Sequence, residues 1–397
     1  MTRQTRFRTP VKFVAALGAA SILIASCAAA PSDSDDPSGV DVLGPAAGAR
    51  PPGAGSESLG GGTAHPPKTP APPKPGAPEP TPPKPTPPKP GTPAPSTYVA
   101  KGERLGIANC PIYPRNNVFH ADITSLPVLP NSAAIIKAAG SDEIVRSAFK
   151  ARVNQGSRGG YPINIVDSST MKHSRVWGLA FGGMKDLGKH PIPKDPRVEG
   201  YPGVAWDQHL LLFDTATCTS HEFFLFRKPI GFSDWAADMG VRLDVTSNDV
   251  HGRTSVASGF SLLAGMVRYD EVLAGKIDHA VAIGLPTISA LPPVWPATYT
   301  DGVSKLPNTP RMGMMFRLRS DVDLSGLGRT ARMMAEAMQT HGAILKDTNL
   351  SGMAINGEND HRWDDDDLST LKQLTIADFE VVDPTSMKVA DDSWEIR

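Results

Sequence analysis

The sequence predicts a β-rich α+β fold, a sandwich or jelly-roll-like body with a few peripheral helices, carried by residues 97–397. Three observations predict it. Short apolar or alternating runs recur along this stretch, separated by Gly, Pro and Asp clusters, which is the pattern of strands and turns. Only a few segments repeat at helical spacing. No repeat of roughly 20–50 residues is visible, which sets aside propellers and solenoids. A stretch of about 300 residues can bury roughly three-quarters of its unfolded surface, enough for one large core.

The elements follow in order. Residues 132–139 and 142–152 predict one or two helices. Residues 163–166, 176–181, 209–213, 223–226, 241–245 and 314–318 read as strands. Some of these are continuously apolar, as a strand covered on both faces would be. Leu327, Ala331, Met334, Ala335 and Met338 fall on one helical face. Asp323 or Ser325 is placed to cap that helix, and Gly342 to end it. Asp367 is placed to cap a short helix through Leu368, Leu371 and Leu374.

The first 96 residues have a different character. Arg3, Arg6, Arg8 and Lys12 precede an apolar run from Phe13 to Ile24. At about 12 residues that run is too short for a stable bilayer span. Ile24-Ala25-Ser26-Cys27 closes it, and the whole resembles a bacterial lipoprotein signal. The resemblance implies a signal peptide over 1–26 and acylation of Cys27 by palmitate-type chains. It implies an anchor in the cell membrane or outer membrane, with the chain on the extracytoplasmic side. Removing the leader takes four cations from a chain of formal charge −1, leaving −1 − 4 = −5. That balance gives no basis for nucleic-acid binding. Residues 27–96 form a disordered linker of Pro, Gly, Ala and Ser, with Thr81-Pro82-Pro83-Lys84-Pro85 repeated at once as Thr86-Pro87-Pro88-Lys89-Pro90. Such proline runs adopt polyproline II at roughly 3.1 Å per residue and act as semi-rigid spacers.

Three cysteines are present. With Cys27 assigned to lipid, Cys110 and Cys218 remain, and in an oxidising compartment the simplest outcome is a disulfide between them. Neither a Cys zinc site nor a thiol nucleophile is then expected.

Three polar clusters are candidates for chemistry. The first is Trp206-Asp207-Gln208-His209 with Asp214. If the strand begins at residue 209, alternation puts Asp207 and His209 on one face, where they can serve as acid and base or hold a divalent metal. The competing reading is a His and an Asp hydrogen-bonded at a strand start. The second is Arg268-Tyr269-Asp270-Glu271 followed by Gly275, Asp278 and His279. A carboxylate and a His meeting there suit a glycosidase rim. They suit equally the first turn of a short helix that stops at Gly275. The third is Asp360-His361-Arg362-Trp363 and Asp364 to Asp367, either a calcium site or a solvated capping loop. No cofactor or metal is assigned. There is no GxSxG elbow, HExxH, Walker A or Rossmann fingerprint. Trp177, Trp206, Trp235, Trp295, Trp363, Tyr201 and Tyr299 fit sugar stacking and fit a plain core equally well.

Several segments together resemble an uncharacterised family of secreted bacterial domains. They are Asp207-Gln208-His209-Leu210 leading to Asp214 and Cys218; Gly265 to Val272 leading to His279 and Ala280; Trp295-Pro296-Ala297; Pro310-Arg311-Met312-Gly313; and Asp360-His361-Arg362-Trp363 before Asp378 to Asp383. The likeness spans most of residues 105–385. It implies an extracellular domain of the kind found beside adhesive or glycan-related modules. Two functions are therefore carried forward. In one, the tethered domain binds or cleaves a polysaccharide, with Asp207 and Glu271 as acid and base and His209 and His279 assisting. In the other, it is a non-catalytic scaffold of the envelope or surface.

Overall fold

Apolar runs set the strands, and their pairing draws three mixed sheets and four helices out of a computed structural model that describes residues 100–101, 104–108, 110–179, 184–205 and 207–397. The leader 1–26, Cys27 and the linker 27–96 lie outside the described residues. A short ribbon comes first, β1 (Ala100–Lys101) and β2 (Arg104–Leu105). Helix α1 (Ser132–Ala139) and strand β3 (Val145–Ser147) follow. Next come β4 (Ile163–Val166), β5 (Ser174–Gly178), β6 (Lys185–His190), β7 (Leu210–Asp214), β8 (Thr219–Phe224), β9 (Trp235–Ala237) and β10 (Met239–Asp244). The last part holds α2 (Tyr269–Ala274), β11 (Val281–Leu285), β12 (Met315–Leu318), α3 (Arg329–Thr340), β13 (Ala343–Thr348), β14 (Met353–Ile355), α4 (Asp365–Ser369) and β15 (Phe379–Val382).

The sheets run β10-β8-β7-β4, β6-β5-β9 and β15-β12-β13-β11-β14-β3. Each contains a parallel pair: β4 with β7, β5 with β9, and both β11 with β13 and β14 with β3. The β-rich α+β class is thus what the chain adopts. Strand β7 explains the layering. Its Leu211 and Phe213 point into the main core, whereas Leu210 and Leu212 point into a second core with Val176, Ile192, Phe223 and Phe226. Alternation sends successive side chains to opposite faces. A strand apolar at every position therefore needs a cover on both sides, and β7 has one. The main core lies between the four- and six-stranded sheets. The second core lies toward β5, β6 and β9.

Helix α3 buries Ala331, Met334, Ala335 and Met338 completely, the face that periodicity selects. At roughly 1.5–3 kcal/mol for each large side chain, this stripe holds the helix on the sheet. Gly342, at φ 81°, ends the helix as expected. The start differs from expectation. Asp323 bonds Ser325 instead, and the carboxylate of Asp367 accepts the amides of Thr330 at 2.8 Å and Ala331 at 3.0 Å. The short helix α4 is capped by Asp364, which accepts from Asp366 and Asp367. Asp365 accepts from Ala151 and Arg152. The run of four aspartates is thus a capping device that serves three segments. Asp367→Ala should lower stability by about 1 kcal/mol. Asp323→Ala should leave the melting temperature unchanged, and a thermal melt of both checks the assignment.

Residues 142–152 are not a helix. Val145 donates to Leu374, and β3 pairs in parallel with β14. The β-branched pair Ile144-Val145 and this long-range pairing override the local helical signal. The expected disulfide is present. Cys110 and Cys218 are bonded across a sequence separation of 108, with Cα atoms 5.4 Å apart. Cys218 sits in the β7–β8 turn, so the bond ties the N-terminal segment to that hairpin. A loop of this length stabilises by on the order of 4–5 kcal/mol in the chain-entropy model. Reduction, or a Cys110→Ser/Cys218→Ser variant, should lower the denaturation midpoint accordingly. Among the described residues, no helix is long and apolar enough to cross a membrane.

Candidate functional site

A polar cleft opens where the four-stranded sheet meets the six-stranded one. Arg146, Arg158, Tyr161, Glu199, Gly200, Asp347, Asn349 and Asn356 line it. Two of its walls depend on glycine. Gly200 has φ +87°, and a Cβ there would come within 2.3 Å of the Ala205 amide. Only glycine closes this loop so tightly. Gly284 pairs with Asp347, and a Cβ there would lie 3.1 Å from Asn349 Nδ2 and 3.2 Å from Asp347 O.

Local backbone geometry places each working group. Glu199 donates its amide to His209 O at 2.8 Å and accepts from Ala205 at 2.9 Å, which holds loop 199–205 against the entry to β7. Gln208 has φ 45°, in the left-handed region that non-glycine residues rarely enter. Regular alternation therefore stops at Leu210, and the turn at Gln208 brings Asp207 and His209 together. The expected pairing is observed, through a bend instead of a straight strand. Asp347 owes its position to a bulge. Ile283 pairs with Leu345, but Gly284 pairs with Asp347, so Lys346 is the extra residue. Bulges re-aim side chains in this way. Lys346 then turns into the core and donates to Leu262 O at 2.9 Å and Ala264 O at 3.2 Å, while Asp347 faces the cleft.

Glu199 and Asp347 line the cleft, and His209, Asp207 and Asp301 lie close to them outside its lining. His209 is 4 % exposed; its Nδ1 lies 2.7 Å from Glu199 Oε2 and its Nε2 lies 3.0 Å from Ser255 O. Burial works against its charge, but the neighbouring Glu199 and Asp207 carboxylates prevail and hold the imidazole up at about 9. Burial together with Glu199 pushes Asp207 up to about 6. Burial, then Asp301 nearby, pushes Asp347 up to about 7. Asp301 itself is raised by burial and shares the Thr348 hydroxyl at 3.1 Å. The Tyr161 ring packs edge-on to His209 at 5.5 Å. The amide oxygen Oδ1 of Asn356 is buried and has no donor. Glu199, Asp207 and His209 each offer one ligand atom, all within 4.8 Å of one another.

Glu271 and His279 form a different network. Glu271 is 2 % exposed, and its carboxylate accepts from Arg268 N at 2.8 Å, from the Arg268 guanidinium and from His279 Nε2 at 2.9 Å. It closes a capping box at the start of α2, which stops at Gly275, φ 81°. Burial favours its neutral form. Arg268 and His279 outweigh burial and hold the carboxyl below its usual range. The sequence pairs Asp207 with His209 and Glu271 with His279. The structure joins each pair internally and gives each its own set of partners. Asp360 is engaged with Arg362, whose guanidinium sits 4.2 Å from the Tyr269 ring centroid.

Sequence reasoning misses Glu199, Asp301, Asp347, Tyr161 and Asn356. One signal was available. Lys346-Asp347 is a charged pair at the end of an apolar run, and such a pair in a buried strand needs a partner or a purpose. Comparison with protein-family profiles, curated proteins and solved structures found no match.

Proposed function

We propose that the domain is an extracytoplasmic hydrolase acting on polysaccharide, held to a membrane through lipidated Cys27, with the cleft between the sheets as its active site. The observation that carries this reading is the pair of contrasting carboxyl groups in one cleft. Glu199, ion-paired with His209, and the buried Asp347 both line it. Glycoside hydrolysis asks for such a division, with one carboxylic acid that donates and one carboxylate that accepts. Asp347, protonated up to about pH 7, gives its proton to the leaving-group oxygen as the C–O bond breaks. On the opposite side the Glu199, Asp207 and His209 group takes a proton from the water whose oxygen adds to the sugar. Arg146, Arg158 and Asn349 line the cleft where hydroxyl groups would sit. Beside the cleft, Tyr201, adjacent to Gly200, carries the Arg197 guanidinium over its ring at 5.9 Å. The resemblance to secreted bacterial domains supports the same reading by association.

The test is a screen of soluble polysaccharides with the mature protein, read as reducing ends released. Glu199→Gln should reduce turnover per folded molecule at least about 100-fold, assayed below a melting temperature that falls because His209 loses its charged partner. Neither binding nor release across a broad panel would leave the envelope-scaffold reading in its place.

A further inference from the structure

We infer that Glu199, Asp207 and His209 hold a divalent transition-metal ion of the Zn²⁺ or Mn²⁺ type. The mutual spacing of their ligand atoms, within 4.8 Å, is close to what three donors around one ion would span. At metal–ligand distances of about 2.0–2.2 Å, two ligands of the same ion are never more than about 4.4 Å apart, so only small adjustments are needed.

Two further features point to a cation. First, His209 Nε2 faces the Ser255 carbonyl at 3.0 Å and must donate to it. This bond leaves Nδ1, 2.7 Å from Glu199 Oε2, as the nitrogen an ion would take in exchange for its proton, and a carbonyl is a usual second partner of a metal-bound histidine. Second, Asp207 is partly buried, yet its carboxylate accepts no hydrogen bond from any described residue.

The donor set selects the kind of ion. An imidazole nitrogen suits Zn²⁺ and Mn²⁺ better than Ca²⁺ or Mg²⁺, which prefer oxygen throughout. Three protein ligands leave a position open, as in catalytic and not in structural zinc sites. If the cleft is hydrolytic, an ion held by Glu199, Asp207 and His209 would ease loss of a proton from an attacking water, and the three residues would act by holding the ion. The inference rests on donor geometry and does not require the hydrolase reading.

The mature protein, stripped with a chelator and dialysed, is titrated by calorimetry with ZnCl₂, MnCl₂ and CaCl₂ in turn. Elemental analysis then counts the ions retained. One Zn²⁺ or Mn²⁺ per chain is expected, with affinity at least about 100-fold weaker in His209→Ala and in Asp207→Asn. Asp207→Asn removes no protein hydrogen bond to the side chain, so it should stay folded, and a thermal melt in chelator verifies this. His361→Ala, at an exposed histidine, should bind as wild type. The inference is overturned by a wild type that takes up no ion, by uptake of Ca²⁺ alone, or by unchanged affinity in a folded Asp207→Asn. Because binding is read directly, a protein that loads metal but cleaves nothing would overturn the hydrolase reading alone.

Discussion

Asp347→Asn should abolish turnover and at the same time stabilise the ion-free protein above neutral pH. The loss follows from the role of the residue. A positioned general acid contributes about 10²–10⁴ in rate, and an amide has no proton to donate. The gain follows from linkage. Burial holds the Asp347 carboxyl at about 7, above the 3.9 or so of an unfolded chain. The folded protein therefore binds the extra proton between these values, and its stability falls as pH rises through that window. Asparagine removes the penalty and can keep the hydrogen bond from the Thr348 amide, 2.8 Å in the wild type. The expected gain at pH 8 is on the order of 1–4 kcal/mol, fading toward pH 4. Urea midpoints of both proteins in chelator, at pH 4 and pH 8, measure it. Asp207 and Asp301 contribute slopes of the same sign, so the difference between the two proteins isolates Asp347. A variant with wild-type turnover would remove Asp347 from the chemistry.

Glu271→Gln should do the reverse. Its carboxylate is the counter-charge of Arg268, which is 2 % exposed and already has a guanidinium Nε without an acceptor. Removing one partner of a buried ion pair strands the other, at a cost of about 3–5 kcal/mol. The same substitution opens the capping box of α2 and takes the charged acceptor from His279. Because the Glu271 carboxyl is held below its usual range, the wild-type contribution is complete at neutral pH and fades in acid. Variant and wild type should therefore differ most near pH 7 and converge as the pH falls. Turnover per folded molecule should be unchanged. Thermal melts across pH, paired with activity assays below the melting temperature, separate this outcome from a catalytic role for Glu271, in which turnover would vanish and stability persist.

The fold was legible wherever an element's own pattern decides it. Residues 163–166 and 210–213 are apolar enough to be strands anywhere, and the α3 stripe is helical by spacing alone. The pairing of Cys110 with Cys218 followed from compartment and count. Strands β11 and β13 were not legible. A glycine interrupts the apolar run of the first, and Lys346-Asp347 interrupts that of the second. Those interruptions are what the cleft is built from. The site was half legible for a similar reason. Asp207 and His209 are neighbours in sequence, and a short-range rule joins them. Glu199 stands ten residues from His209 and Asp347 comes from another sheet, so only long-range pairing brings them in. Capping showed the same limit, since Asp367 serves a helix 36 residues away that its own neighbourhood does not announce.

The cleft takes its lining from Arg146 through Gly357, and from two sheets whose strands interleave along the chain. A chain that emerges N-terminus first holds Glu199 and His209 long before Asp347 exists to face them. Assembly of such non-local contacts is slow, because distant segments must meet before any contact repays the ordering. No contiguous half of the domain can therefore build the cleft: it forms only once β13 and β14 close beside β11.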